Sequence, residues 1–279
     1  MRFFIILTLT TIVSFSFDYK LIAYTITEGV SCFFTINEKA NMQNGGRVTN
    51  TCYIETNNSY IVIDSGPTYN YAQQAYIHMQ KKKTLPIKYV INTSACETKI
   101  LGNKFYKEKG AILIGPQSYK ALLKEKETKL STQISKDAYK NTSIVPLDIY
   151  QNSDNTIFVG DITLEIKKIE KKENKQLIIF VPEKEIAFVG DYINNREKYK
   201  IENQYSLLKL KETISKIENL EYQYIISSQG TKIGRDIINE TQGYINAIMI
   251  PIKRKRRERN INRSLKDINR KRKFITKLA

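Results

Sequence analysis

The residue types in this chain that could do chemistry gather on one loop, Thr93–Lys99, which holds Ser94, Cys96, Glu97, Thr98 and Lys99. A cysteine three positions before a lysine suggests a nucleophile, because a nearby cation lowers a thiol's pKa and only the thiolate attacks. Such a reaction also needs a group to shuttle the proton. The sequence has a single histidine, His78, and it is not on this loop. The alternative is that Cys96 is an inert small side chain.

The elements that position this loop follow from the pattern around it. Lys88–Ile91 is apolar and β-branched between Pro86 and Asn92, and predicts a buried strand. Phe105–Lys109 predicts a helix stopped by Gly110. The loop therefore leaves the C-terminal end of a strand, where α/β proteins bind ligands. Upstream, Tyr60–Ile63 predicts a central strand that ends in the turn Asp64–Pro67. Tyr69–Lys83 predicts a helix with Tyr71, Ala75, His78 and Met79 on one face, so His78 is expected to be a structural side chain beside the buried stripe. Ala111–Gly115 predicts the next strand, and Ser118–Lys140 a polar, lysine-rich helical stretch. Thr156–Val159 and Ile162–Ile166 flank Gly160-Asp161, a hairpin signal. Leu177–Val181, Ile186–Val189 and Tyr224–Ser227 complete the strands.

In this order, Ile-Asp-Ser-Gly at 63–66, Asn-Thr at 92–93 with Gly102-Asn103, Phe-Val-Gly-Asp at 188–191 and Ser-Gln-Gly at 228–230 resemble the metallo-β-lactamase superfamily of hydrolases. The resemblance implies a four-layer αββα sandwich, an α/β (α+β) fold, over about residues 20–250. It also implies where the zinc ligands would stand. The family's His-x-His-x-Asp-His falls on Ser94, Cys96, Thr98 and Lys99, a later histidine on Lys172, the bridging aspartate on Asp191 and a last histidine on Gln229. Asp191 alone matches. Asp64 in such a turn usually braces the metal-binding loop, but an aspartate bonding its nearby backbone is the expectation here.

Zinc takes imidazole, thiolate or carboxylate, and a catalytic site needs three protein ligands plus a water whose pKa the metal lowers. Ser94, Thr98 and Gln229 are poor ligands, and Lys99 and Lys172 would repel a metal. Cys96 and Asp191, with Glu97 or Glu173, are the remaining donors. The expected cofactor content is therefore none, where the family has zinc. Cys96 is expected to fill the space of a lost imidazole. An ammonium of Lys99 or Lys172 is expected at the carboxylate of Asp191, replacing the metal charge. The alternative is an Asp191 that faces water with both lysines in solvent.

The chain has 279 residues, 41% of them hydrophobic, enough for a full core. Residues 1–16 read as a signal peptide: Arg2, an apolar run from Phe3 to Phe15, and the small-x-small Ser14-Phe15-Ser16. The alternative is an uncleaved anchor. A mature chain starting near Phe17, periplasmic or secreted, is expected. Export permits disulfides. Cys32 and Cys52 lie in strand-like sequence, and either bridge to each other or remain separate buried thiols.

The body, 17–250, is followed by a tail, 251–279, of different composition. The tail carries 13 lysines and arginines against Glu258 and Asp267, a net of +11 out of the chain's +17. Ile261, Leu265 and Ile268 would share one face of a basic amphipathic helix suited to an anionic membrane surface or nucleic acid. A solvated tail and a decayed reading frame are the alternatives, and no motif supports specific nucleic-acid recognition. The sequence thus predicts an exported, non-catalytic homologue that binds a ligand or partner. The alternative is a metal-dependent hydrolase with an atypical or reduced site.

Overall fold

Apolar β-branched runs set the strands. The computed structural model describes residues 17–249, apart from 37, 126, 169–175, 194–203, 221 and 248. Seven strands in sequence order form the first sheet: β1 (Tyr24–Thr27), β2 (Val30–Phe33), β3 (Thr51–Glu55), β4 (Tyr60–Ile63), β5 (Ile87–Ile91), β6 (Ile112–Pro116) and β7 (Ile149–Gln151). The second sheet has the order β12-β11-β10-β9-β8, from β8 (Asn155–Val159), β9 (Ile162–Lys168), β10 (Leu177–Val181), β11 (Ile186–Gly190) and β12 (Tyr224–Ser227). Strands β2, β4, β10 and β11 are buried along their whole length, as strands covered on both faces must be.

Alternation along the strands sorts their side chains into three cores. Ile61 and Ile63 of β4 face the second sheet, meeting Leu164, Ile179 and Phe188. Tyr60 and Val62 of the same strand face the other way, against Tyr71, Ala75 and Met79 of helix α1 (Tyr69–Lys82). Beyond the second sheet, Ile178 and Val189 pack with Ile214 and Ile217 of a helix over Gln204–Glu218 and with Ile237 and Ile238. The layers run helix, sheet, sheet, helix.

Cys32 and Cys52 are directly opposed in the β2–β3 pair and form a disulfide inside the inter-sheet core. Closing a loop of this length contributes about 3 kcal/mol in the chain-entropy account. Thr68 caps α1 by accepting the N–H of Tyr71, and Lys81 and Lys82 in its last turn favour the negative end of the helix. His78 is half-buried on this helix, with its ring edge against Phe33 at 5.6 Å between centroids. Burial and then the charge of Lys81 hold its pKa below the usual value, so it is a neutral packing side chain at pH 7.

The expected helical stretch over 118–140 is divided into three pieces. A 3-10 helix spans Gln117–Lys124, and two short α-helices span Leu130–Gln133 and Lys136–Tyr139. Side chains restart the helix each time: the Glu97 carboxylate takes the N–H groups of Lys129 and Leu130, and Ser135 accepts the N–H of Ala138. The short helices α2 (Glu97–Ile100) and α3 (Asn103–Glu108) follow the chemistry-bearing loop. Gly102 between them has its Cα pressed against the Ser65 carbonyl, where a Cβ would collide. That contact seats the loop on the turn after β4. The signal segment 1–16 and the tail 251–279 lie outside the described residues.

Candidate functional site

Four strand ends meet at one edge of the sandwich. Strands β4 and β5 are parallel, as are β11 and β12, so their C-terminal ends deliver Asp64, Thr93, Asp191 and Ser228 to the same place. The loops are stitched together by backbone. Thr93 accepts from the Leu177 N–H at 2.7 Å, and the Asn50 N–H donates to the Ser228 carbonyl at 2.6 Å. The Asn50 amide also donates to the carbonyls of Ser227 and Gly230. Gly190 turns the chain at φ +58, with the Gln176 amide oxygen 3.1 Å from where a Cβ would stand, so Asp191 follows a position suited to glycine.

At the centre is the ammonium of Lys99. Its side chain is fully buried, and its Nζ donates to Asp191 Oδ2 at 3.0 Å, Ser228 Oγ at 2.6 Å and Thr93 Oγ1 at 3.2 Å. Three donors thus meet three oxygens, the full capacity of an ammonium. Burial pushes the Lys99 pKa down, but the charges of Asp191 and Asp64 outweigh it and hold the group above its ordinary range. Burial likewise pushes the Asp191 carboxyl up, and Lys99 together with the Ser228 hydroxyl brings it below the usual carboxylate value. The Asp191 side chain remains 42% exposed, so the pair has one dry end and one wet end.

Asp64 is the second carboxylate near this cation. Both its oxygens take bonds from Thr93, one from the N–H and one from the hydroxyl, each at 2.7 Å. Its backbone sits at φ 59, a left-handed conformation held by those bonds. The expected bonding to nearby backbone is therefore replaced by a brace across 29 positions of sequence onto the loop after β5. Burial raises its pKa to about 6, against the lowering influence of Lys99 and of the Thr93 bonds.

The other expected site positions disperse. Ser94 is buried, and its hydroxyl has no hydrogen-bond partner among the described residues. Cys96 does not fill the site. It is exposed, with its sulfur 3.3 Å from the Thr98 hydroxyl, because the loop turns into α2 at that point and aims the thiol outward. Thr98 is half-buried and gives its carbonyl to the Thr49 hydroxyl. Gln229 is half-buried with its amide oxygen unpartnered. Lys172 and Glu173 lie outside the described residues. Thr93 and Ser228 were missed by sequence reasoning. Their signal was available: each is a hydroxyl residue just past a parallel strand.

These donors do not fit zinc. Among the described residues no three His, Cys, Asp or Glu side chains gather in one group. Asp191 already spends an oxygen on a fully buried ammonium. The remaining space between Asp64, Thr93, Gly190 and Ser228 is about 10 Å3, room for one water at most. The Ser228–Lys99 contact has the form of a serine–lysine dyad. A lysine base must be neutral, however, and Asp191 keeps this one charged.

This architecture and strand order define the metallo-β-lactamase fold. Solved structures with that fold superpose over most of the chain. One is a metallo-beta-lactamase from Pontibacter korlensis, at 14% identity and TM-score 0.61, covering 81% of this chain and 99% of that one. Another is the FIM-1 metallo-beta-lactamase from Pseudomonas aeruginosa in its mono-zinc form, at 18% identity and TM-score 0.60, covering 83% and 97%. A third, from Hirschia baltica, has 16% identity and TM-score 0.58, covering 81% and 97%. No family model matches the sequence, and no curated protein matches it.

Proposed function

We propose that this is an exported, non-catalytic protein built on the metallo-β-lactamase fold, in which the Lys99 ammonium supplies the positive charge that a metal supplies in the enzymes. The observation that supports the reading most is the buried Lys99 Nζ at 3.0 Å from Asp191, the one position that matches a family ligand. An ammonium there satisfies the carboxylate and repels a dication, and it cannot polarise a water to hydroxide. The protein then needs no cofactor. The Cys32–Cys52 bridge and the apolar segment 1–16 support a periplasmic or secreted location, where disulfides persist. The tail 251–279, at +11, suits an anionic membrane surface as partner.

The test is turnover. Purified from zinc-supplemented medium, the protein should hydrolyse β-lactams, thioesters and phosphodiesters no faster than background. Metal-dependent turnover of any of them would overturn the reading.

A further inference from the structure

With the old cleft filled, a ligand must use another concavity. We propose that the cavity beside Arg47 binds a small monocarboxylate with an apolar body. The cavity measures about 400 Å3 and opens between the first described residues, Phe17–Lys20, and the loop between β2 and β3. That volume lies within the usual range for small-molecule sites.

Hydrogen bonds hold parts of its wall. The Phe17 carbonyl accepts from the buried amides of Asn70 at 2.9 Å and Gln74 at 2.6 Å. The Arg47 guanidinium joins the two walls, Nη1 donating to the Tyr19 carbonyl at 3.1 Å and Nη2 to the Phe34 carbonyl at 2.8 Å. Both partners are neutral, and no carboxylate among the described residues pairs with this cation; the Nε–H is buried and closed to a ligand, which leaves the second N–H of each Nη. A partly buried charge without a counterion is costly, and a carboxylate on the guanidinium offsets that cost.

The two acids that border the cavity are exposed and already engaged. Asp18 accepts the Lys20 N–H at 2.9 Å, and Glu38 accepts from the Asn44 amide at 3.4 Å. With Lys20 also lining the cavity, these acids and the two cations balance, so a single negative charge is tolerated and the apolar body sets the acid apart from phosphate. Phe17 and Phe34 offer the ligand body apolar surface.

The test titrates 3-phenylpropionate into the purified chain, followed by calorimetry and amide chemical shifts. Saturable binding is expected, with shifts confined to residues 17–20, 34–36 and 43–47. The neutral analogue 3-phenylpropionamide should bind about tenfold weaker or worse, and Arg47→Gln should weaken the acid by a similar factor. The amide comparison needs no variant, so the assignment stays testable if Arg47→Gln fails to fold. Absence of saturation up to roughly 10 mM would overturn the proposal. So would equal binding of acid and amide, inorganic phosphate binding as tightly as the acid, or shifts centred on 93–99 and 190–191.

Discussion

Removing one member of the Lys99–Asp191 pair should not be equivalent to removing the other. The Lys99 side chain is 0% exposed and the Asp191 side chain 42%. Lys99→Met leaves Asp191 to water and to the Ser228 hydroxyl, and it strands the buried Asp64, which can escape its charge by taking up a proton from a pKa already near 6. The loss should be the smaller of the two, about 2 kcal/mol. Asp191→Asn leaves a buried ammonium with the hydroxyls of Ser228 and Thr93 and the buried Asp64 carboxylate, which is already engaged by Thr93. That cation must either stay charged or lose its proton against an ordinary pKa near 10.4, so the cost should be about 3–5 kcal/mol. The double variant should lose less than the sum of the two, by roughly 1–3 kcal/mol. Urea melts of the four proteins at pH 7 measure the cycle. The exposed pair Lys107–Asp148, with side chains 37% and 40% exposed, serves as comparator and should couple by less than about 1 kcal/mol. The pKa shifts fix the sign with pH. The depressed Asp191 contributes above its unfolded value and is lost as pH falls through its folded one; the elevated Lys99 contributes until pH rises past its ordinary value. The coupling should therefore be constant between about pH 7 and 9, above the titration of Asp64 near 6. Equal losses from the two single variants, or a coupling no larger than that of Lys107–Asp148, would refute the reasoning.

Replacing both Cys32 and Cys52 by alanine should lower stability by about 3 kcal/mol in urea, and an unchanged midpoint would place the stabilisation elsewhere. The Asp64 pKa of about 6 lies above its unfolded value of 3.8, so the folded chain binds an extra proton between them, and stability should fall by roughly 2–3 kcal/mol as pH rises from 4 to 6. Asp64→Asn should remove that component from the pH profile, and a profile identical to the parent's would contradict the burial argument. Removing 251–279 should abolish binding to anionic vesicles with little change in melting temperature, and the binding of the full chain should weaken steeply with salt; equal binding by the truncated protein would exclude the tail.

The strands were legible because each face of the sandwich writes its own pattern. Tyr60–Ile63 alternates between two cores, and Leu177–Val181 is apolar throughout because both its faces are covered. The hairpin at Gly160-Asp161 was legible from turn chemistry, with Val159 opposite Ile162. The stretch 118–140 read as helical, and it is, but tertiary hydrogen bonds from Glu97 and local capping by Ser135 divide it into pieces. At the site, Lys99 and Asp191 could be placed together because the resemblance sets both at positions that converge on the family's metals. The outward turn of Cys96 could not, since it depends on where α2 begins. Nor could the reach of Asp64 to Thr93, which is set by the parallel pairing of β4 with β5. Ser228 was hidden beside Gln229: one position of register decides which of the two faces the cation.

The most direct measurement of the central claim is the metal content of the purified chain after zinc loading and dialysis, read by elemental analysis beside a chain carrying Lys99→His. If an ammonium has taken the metal's place, the parent should hold well under one zinc per chain. The added histidine should not raise that to stoichiometry, because Ser94, Cys96, Thr98 and Gln229 still supply too few ligands. One tightly held zinc per parent chain would contradict the account.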